Sequence, residues 1–471
     1  MCVLVIQIKQ VAEELVLFGK STCPILMTTL FMHSKVVISM LFLGRMGKID
    51  LAGGSLAMAF ANITGFSVLK GLSLGMDPIC FQAYGAKRWS VLSQTYLKTF
   101  LLLLFASIPI SILWLNIESV FLRLGQDVVI TKVAEEYLVF AIPELIGHAH
   151  LNPLRSFLRT QSINSPSTMA ATCATLLHLP INYILVTYLN LGVKGIALAS
   201  FCFIFNMNIG LLAYLVLSKV PLKPWIGATI ISTFQGWRPL LSIALPSVCS
   251  VCLEWWWYEI ILFLSGLLGN PQSSVAATGI MIQTTGLLYA FPYSLSSSIS
   301  QRVGHELGAC QPVRAQLAAM VGLAIGMAYG LAAFGSTVAV RSVWGKLYSK
   351  DSQILELVSM ALPIMGLAEV GNAPQTAACG ALTGSARPKV GVRVNIAAFY
   401  FIGLPVAVLL AFKFKIGYRG LWWGLVAAQG ACASMMVYTL IQTDWRYQVK
   451  RAEELTLAAG DKDDVEMNLV P

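Results

Sequence analysis

Long apolar runs separated by short polar segments dominate the chain. A helix that crosses a membrane needs about 20 apolar residues, because each residue advances about 1.5 Å through a hydrocarbon layer about 30 Å thick. That rule predicts twelve spanning helices, near residues 16–44, 51–76, 95–116, 130–152, 167–190, 193–217, 239–267, 274–300, 315–338, 354–380, 390–411 and 420–442. The pattern therefore predicts an all-α polytopic membrane protein.

The composition agrees with a bilayer as the solvent. Of the 471 residues, 57% are hydrophobic and only 11% are charged, whereas a soluble domain usually has about a quarter charged residues. The net charge of +10 raises nucleic acid as a partner, but the Lys and Arg residues concentrate in alternate loops, starting from the N-terminus. Because cytoplasmic loops are enriched in these residues, we expect both termini in the cytoplasm and no nucleic-acid partner.

The two halves of the chain resemble each other at a shift of about 220 residues. Ala-Ile-Pro at 141–143 falls on Ala-Leu-Pro at 361–363, and Asn152 falls on Asn372. Coincidence among apolar runs is the alternative, but several matches in the same order predict two pseudo-symmetric six-helix lobes around a central cleft. The predicted organisation is an N-terminal lobe (1–217), a cytoplasmic linker (218–238), a C-terminal lobe (239–443) and a polar cytoplasmic tail (444–471), mobile from residue 452.

Such a duplicated architecture is typical of transporters that open alternately to each side of the membrane. Ionisable residues inside the membrane are costly and therefore mark functional positions. Glu254 and Glu259 lie in the seventh predicted span. Glu254 shares a helix face with Tyr258, and Glu259 points about 140° away. An apolar environment favours the uncharged carboxyl, which is what proton antiport requires; the alternative is that the two acids only hold the helices together.

The tenth predicted span contains a third acid within a polar stripe. Glu369, Asn372 and Thr376 recur at helical spacing on one face. Pro374 lacks a backbone donor and should kink the helix, which frees carbonyl groups to line a cavity. This segment is therefore a candidate gate or binding element, or else a kink that its own side chains stabilise.

Three segments carry a resemblance to a known family. They are Cys-Leu-Glu-Trp-Trp-Trp-Tyr-Glu at 252–259, Gly-Met-Asp-Pro-Ile-Cys-Phe-Gln-Ala-Tyr-Gly-Ala at 75–86, and Arg-Val-Gly-His-Glu-Leu-Gly-Ala at 302–309. Together they resemble the plant branch of the multidrug and toxic compound extrusion (MATE) family. The resemblance implies export of an organic solute in exchange for inward protons. In that family the first Glu of the Glu-Trp-Trp run is a cation or proton site. The resemblance therefore implies that role for Glu254, and Glu259 corresponds to the second Glu of the run.

One position departs from that resemblance. Many plant members have an Asp where this chain has Asn372. An amide takes up no proton at physiological pH. Either Glu369, one turn earlier, takes that role, or coupling depends on the seventh helix alone.

The candidate site has three groups of residues. The predicted proton-coupling residues are Glu254, Glu259 and Glu369. The predicted solute contacts are Trp257, Tyr258, Asn372, Gln375, Asn62 and Lys35, and the predicted structural or gating residues are Asp77, Gln82 and Pro374. We expect no catalytic residue, metal or other cofactor.

The sequence thus predicts a monomeric antiporter that exports small organic solutes, such as xenobiotics, secondary metabolites or hormone-like compounds, in exchange for protons. A lipid-linked precursor flippase of similar architecture is the alternative, although a flippase should line its cleft with several cations to hold a phosphate headgroup. No arrangement typical of an enzyme is present in the sequence. The expected location is the plasma membrane or an endomembrane such as the vacuole or the Golgi and endosomes.

Overall fold

The structure, a computed structural model, describes residues 2–123, 125–217 and 233–460. Helices make up 89% of it, and no strand occurs among these residues. A helix satisfies its own backbone N–H and C=O groups, which explains why so apolar a chain folds this way in a bilayer. The predicted all-α class is confirmed.

Twelve long helices follow one another in the described part of the chain, one for each predicted span. They are α1 (Cys2–Met46), α2 (Ile49–Gly85), α3 (Trp89–Leu115), α4 (Val128–Thr160), α5 (Ser165–Tyr188), α6 (Gly192–Leu217), α7 (Arg238–Ser265), α8 (Pro271–Gly308), α9 (Pro312–Val340), α10 (Ser352–Gly384), α11 (Pro388–Lys413) and α12 (Tyr418–Ile441). A short helix, Ile117–Arg123, follows α3, and a 3-10 turn, Trp344–Leu347, precedes α10.

Eleven of these helices are long and apolar enough to cross a membrane, when only the described residues are considered. The exception is α4, which we predicted as the span at 130–152. It has 33 residues and is long enough, but Glu144, His148 and His150 lie in its central turns. These polar residues lower the hydropathy of its central turns.

Contacts between residues divide the described chain into two compact units. One contains the described residues from 23 to 248 together with 456–460, and the other contains residues 2–22 with 249–455. We call them the N-terminal unit and the C-terminal unit. Residues 218–232 of the predicted linker lie outside the described residues. The predicted lobes end at loops, whereas the contact boundaries lie inside α1, inside α7 and inside a later helix, Trp445–Ala459.

Side-chain contacts explain why the start of α1 belongs to the C-terminal unit. The guanidinium group of Arg302 in α8 donates to the Glu14 carboxylate at 2.6 Å and contacts Glu306, one turn away, at 2.8 Å. Farther along α1, the Thr22 hydroxyl donates to Ser298 at 3.0 Å. An ion pair of three residues and a buried hydrogen bond therefore hold this segment to α8.

Equivalent local geometry in the two units confirms the internal repeat. Helices α4 and α10 both have 33 residues, and each begins after an aspartate that caps its N-terminus. The Asp127 carboxylate accepts from the N–H groups two and three residues later, at 2.8 and 3.2 Å. Asp351 does the same at 2.8 and 3.3 Å. Each cap satisfies N–H groups that the helix itself leaves unpaired.

A tryptophan anchor is also repeated. The Trp114 indole N–H donates to the Thr64 hydroxyl at 3.0 Å in the N-terminal unit. In the C-terminal unit, Trp344 donates to Thr284 at 2.8 Å. The two anchors are offset by about the same number of residues as the sequence matches.

Helix α4 is central in the N-terminal unit and α10 is central in the C-terminal unit. The first packs against α2, α3 and α6, and the second packs against α8, α9 and α12. Their buried apolar faces include Leu138 and Leu145 in α4, and Leu362 and Met365 in α10. Each central helix thus positions its polar residues among several neighbours.

Glycines bring α10 to backbone contact on three sides. A Cβ atom added at Gly330 of α9 would lie 2.8 Å from the Glu369 carbonyl oxygen. One added at Gly371 would lie 2.9 Å from the backbone of Gln429 in α12, and one at Gly380 would lie 2.4 Å from the backbone of α8. Real Cβ atoms do not approach so closely, so these contacts require residues without a side chain.

The predicted polar tail is helical in its first half. Helix α13 (Trp445–Ala459) begins after Asp444, whose carboxylate accepts from the backbone N–H of Arg446 at 2.9 Å. Trp445 and Ala452 are buried. We expected a mobile end from residue 452, whereas the helix continues to residue 459 because one of its faces is apolar and packs.

We expect Gly330→Ala to destabilise the protein by about 1–3 kcal/mol, because the new methyl group would press on the α10 backbone. Gly335→Ala is the matched control, since it lies in the same helix with open space around it. At position 335, alanine loses less backbone entropy on folding than glycine does. Gly335→Ala should therefore stabilise the protein by about 0.5–1 kcal/mol. Thermal unfolding in detergent measures both, and equal effects would contradict the packing argument.

Candidate functional site

Glu254 lies in the middle of α7, in the C-terminal unit. Its side chain is half-buried, and Tyr258 follows it on the same helix face. The Glu254 carboxylate interacts electrostatically with two tyrosines, Tyr258 of α7 and Tyr289 of α8. It also interacts with the thiols of Cys379 in α10 and Cys432 in α12. Four helices thus surround this carboxyl group.

The polar stripe of α10 forms a continuous chain of hydrogen bonds. The Asn372 amide donates to the Glu369 carboxylate at 2.9 Å. The Thr376 hydroxyl lies 3.4 Å from the Asn372 amide oxygen and 3.1 Å from that of Gln375. All four residues are at most 4% exposed. The predicted common face of Glu369, Asn372 and Thr376 is confirmed.

The two acids belong to one cluster. Glu254 and Glu369 lie close enough for their negative charges to repel each other, and Tyr258 and Tyr329 also interact with Glu369. The helices α7 and α10 that carry the two acids are about 110 residues apart along the chain. Only the fold brings these groups together.

Among the residues that the structure describes, no positive charge compensates the pair. In the ranges 2–123, 125–217 and 233–460, no Lys, Arg or His forms an ion pair with Glu254 or Glu369. Two neighbouring carboxylates without a counter-ion would be strongly unfavourable away from water. A bound proton or another small cation would remove that penalty. The cluster is therefore suited to take up positive charge and release it.

Sequence reasoning missed several members of this cluster. Gln429 of α12 is 1% exposed and lies beside the Tyr258 hydroxyl. The Asn395 amide of α11 donates to the Ser250 hydroxyl at 3.2 Å, and the Cys432 thiol donates to Asn395 at 3.5 Å. Isolated amides inside the apolar runs of α11 and α12 were the available signal.

Two other residues of α7 lie apart from the cluster. Trp257 has no exposed surface and packs against Phe399, with ring centroids 5.9 Å apart. It belongs to the hydrophobic core, so we correct its assignment from solute contact to packing residue. Glu259 is partly exposed and, among the described residues, has no hydrogen bond or ion pair.

The predicted solute contacts Asn62 and Lys35 lie in the N-terminal unit. Asn62 is exposed and begins a π-helical turn within α2, Asn62–Phe66. Lys35 of α1 is paired with the Glu144 carboxylate of α4. Neither residue belongs to the cluster around Glu254.

The predicted structural residues join helix ends. Asp77 of α2 is buried and accepts from the Arg159 guanidinium of α4 at 2.5 Å and from the Ser156 hydroxyl. Gln82, one turn later, is 1% exposed. Helix α10 continues through Pro374 without a break; since proline has no N–H, the carbonyl four residues earlier lacks its helical donor.

Comparison with known proteins agrees with this geometry. The MatE family model matches residues 24–184 and 246–409. Protein DETOXIFICATION 53 of Arabidopsis thaliana is 59% identical over 453 residues, which are 96% of this chain and 93% of that protein. Protein DETOXIFICATION 48 of Arabidopsis thaliana is 50% identical over 444 residues, which are 94% and 83% of the two chains.

Solved structures share the fold. The crystal structure of the eukaryotic MATE transporter AtDTX14 matches with a TM-score of 0.90 and 30% identity, over 95% of this chain and all of that chain. The Vibrio cholerae MATE transporter VcmN in the bent form matches with a TM-score of 0.80 and 14% identity, over 95% and 99%. The matches favour an exporter over a flippase. The chain is a multi-pass membrane transporter, not an enzyme, and belongs to the multidrug and toxic compound extrusion (MATE) family.

Proposed function

We propose that this transporter exports small organic solutes by alternating access, in exchange for protons that enter through the cluster of Glu254 and Glu369. The observation that carries the proposal is a pair of neighbouring acids in the membrane without a counter-ion among the described residues. Such a pair changes its charge when it changes its access to water, because the uncharged form is favoured only when water is excluded. A proton gradient can then drive the conformational cycle.

The side chains around the two acids support a role in coupling. Tyr258, Asn372, Gln375 and Gln429 offer donors and acceptors that can adapt to either charge state. The Asn372 amide already donates to Glu369. A cluster with these partners can hold a proton without large rearrangement.

Glu254→Gln should reduce proton-driven transport to the level of empty vesicles, because an amide cannot exchange a proton at physiological pH. Glu259→Gln is the matched control: it makes the same change five residues later in α7, outside the cluster. The measurement is uptake of a panel of labelled organic solutes, with the accompanying change in lumenal pH, in vesicles with an imposed pH gradient. Full gradient-driven uptake by Glu254→Gln would overturn the proposal, and a response to a sodium gradient alone would replace the proton with sodium.

Glu369→Gln should also abolish proton-driven uptake, whereas solute–solute exchange without a gradient should continue. Adding Asn372→Asp to that variant returns a carboxyl group to the same stripe, three residues later. The double variant should recover proton-driven uptake in part. If Glu369→Gln alone transports at the rate of the unchanged protein, coupling depends on Glu254 alone.

We also propose that the protein acts as a monomer with both termini in the cytoplasm, at the plasma membrane or in an endomembrane such as the vacuole or the Golgi and endosomes. The excess of Lys and Arg in alternate loops supports this orientation. In that topology, the turn between α8 and α9 faces the cytoplasm.

Cys310, an exposed thiol in that turn, tests the orientation. In cells that carry the protein at the plasma membrane, a membrane-impermeant maleimide should label Cys310 only after permeabilisation. The variant Cys310→Ser identifies the signal from this position. Labelling of Cys310 in intact cells would reverse the proposed orientation.

A further inference from the structure

Two arginines lie close together in the C-terminal unit, where the turn from α10 to α11 contacts the segment before α13. The Arg387 guanidinium donates from Nε to the Ser385 hydroxyl at 3.0 Å and from Nη2 to the Thr443 hydroxyl at 2.9 Å. Arg451, near the middle of α13, donates to the Gln448 amide oxygen at 3.0 Å, and its charge acts on Arg387. Both arginines are partly exposed, and their hydrogen-bond partners are neutral.

The two arginines have no acidic partner within the described ranges, where none of the ion pairs includes either of them. Asp444, which follows Thr443, caps α13 and accepts from the backbone N–H groups of the second and third residues after it, at 2.9 and 3.1 Å. Basic residues outnumber acidic ones in the two segments 387–393 and 444–454; they are Arg387, Lys389, Arg393, Arg446, Lys450 and Arg451, against Asp444, Glu453 and Glu454. The two segments therefore carry excess positive charge.

Burial makes the positive charge of Arg387 unfavourable. Burial, with a smaller contribution from the charge of Arg451, lowers the pKa of the Arg387 guanidinium to about 10. The group stays charged at neutral pH, so the protein holds a cation in a place that disfavours it. A bound anion would offset both effects, because it would supply the favourable electrostatic interaction that burial and Arg451 reduce.

The equivalent turn of the N-terminal unit shows that the fold does not need an arginine at this position. Ile163 follows α4 as Arg387 follows α10. Each donates its backbone N–H to the carbonyl five residues earlier, at 3.0 Å from Ile163 and 2.9 Å from Arg387. An apolar side chain therefore serves in the same turn, and the guanidinium has a role other than forming it.

The position of the pair favours a membrane lipid over a soluble anion. Arg387 lies between the spans α10 and α11, at the level where the chain leaves the apolar layer. Tyr438 and Ile441, in the last turn of α12 just before Thr443, are 65% and 61% exposed. Exposed apolar and aromatic side chains followed by basic groups are typical of the interface between a membrane and water, where basic residues attract anionic lipids.

We propose that Arg387 and Arg451 bind the headgroup phosphate of a membrane lipid, and that they prefer a phosphomonoester such as that of phosphatidic acid. A phosphomonoester carries a charge of about −1.5 to −2 at neutral pH, which balances two guanidinium groups, whereas a phosphodiester carries a single negative charge. The planar fork of each guanidinium fits two phosphate oxygens. In the proposed orientation this lipid lies in the cytoplasmic leaflet. The inference adds a lipid partner to the proposed function and does not depend on proton coupling.

Native mass spectrometry of the purified full chain tests the lipid preference. The probes are phosphatidic acid, phosphatidylglycerol and phosphatidylcholine with the same acyl chains. Phosphatidic acid should bind about tenfold or more tightly than phosphatidylcholine, with phosphatidylglycerol between them. Equal binding of the three lipids would overturn the inference. Displacement of phosphatidic acid by inorganic phosphate at the same concentration would also overturn it, because the ligand would then be a soluble anion.

Variants of the pair separate a built site from a diffuse basic surface. Arg451→Gln should weaken phosphatidic acid binding about tenfold, because charge-assisted hydrogen bonds are lost. It should fold, since the hydrogen bond of Arg451 lies within α13. Arg446→Gln is the matched control: it makes the same change on the same helix at an exposed position and should weaken binding less than about twofold. Equal weakening by the two variants would contradict a site at the pair.

Arg387 needs a readout that a structural role would not change, because its hydrogen bonds also tie the turn to the segment before α13. Phosphatidic acid should raise the thermal unfolding temperature of the unchanged protein more than that of Arg387→Gln. Arg387→Lys keeps the charge without the planar fork and should respond between the two. If phosphatidic acid raises the unfolding temperature of Arg387→Gln as much as that of the unchanged protein, Arg387 is structural and the inference is wrong.

Failure of this inference differs from failure of proton coupling. Glu254→Gln should bind phosphatidic acid as the unchanged protein does, because Glu254 lies in the middle of α7 and neither arginine interacts with it. Loss of the lipid preference with intact proton-driven uptake would overturn the lipid site alone. Loss of proton-driven uptake in the unchanged protein with an intact lipid preference would overturn the proposed coupling alone.

Discussion

The backbone contact of α10 with its neighbours is the constraint on which the C-terminal unit depends. Gly330, Gly371 and Gly380 let three other helices approach α10 more closely than side chains would permit. Glu369 lies in this closely packed part of α10, and 1% of its surface is exposed. The close packing around the site therefore depends on glycines at these three positions.

The two units treat buried acids in opposite ways. Glu144 of α4 has an internal counter-ion in Lys35, so its charge is balanced within the protein. Glu254 and Glu369 have none among the described residues. A balanced acid keeps its charge, whereas an unbalanced pair is suited to a change of charge. One repeated architecture thus provides two kinds of electrostatic site.

Local periodicity explains what the sequence could predict. The spans, the repeat and the stripe of Glu369, Asn372 and Thr376 depend on residues within a few turns of each other. The neighbours of Glu254 in α10 and α12, and the pairing of Lys35 with Glu144, depend on helix packing across about 100 residues or more. Trp257 shows the same limit, because a buried core residue and a solute contact share one apolar pattern.

The repeat also persists in the backbone where side chains have changed. Lys87 and Cys310 end equivalent helices with φ of 58° each, and Ser162 and Ala386 do so at 62° and 55°. Such left-handed conformations are unfavourable for residues other than glycine, yet both halves keep them with unrelated side chains. The φ angles of these turns are thus similar in the two halves at positions where the residue types differ. They indicate the duplication where the amino-acid identities do not.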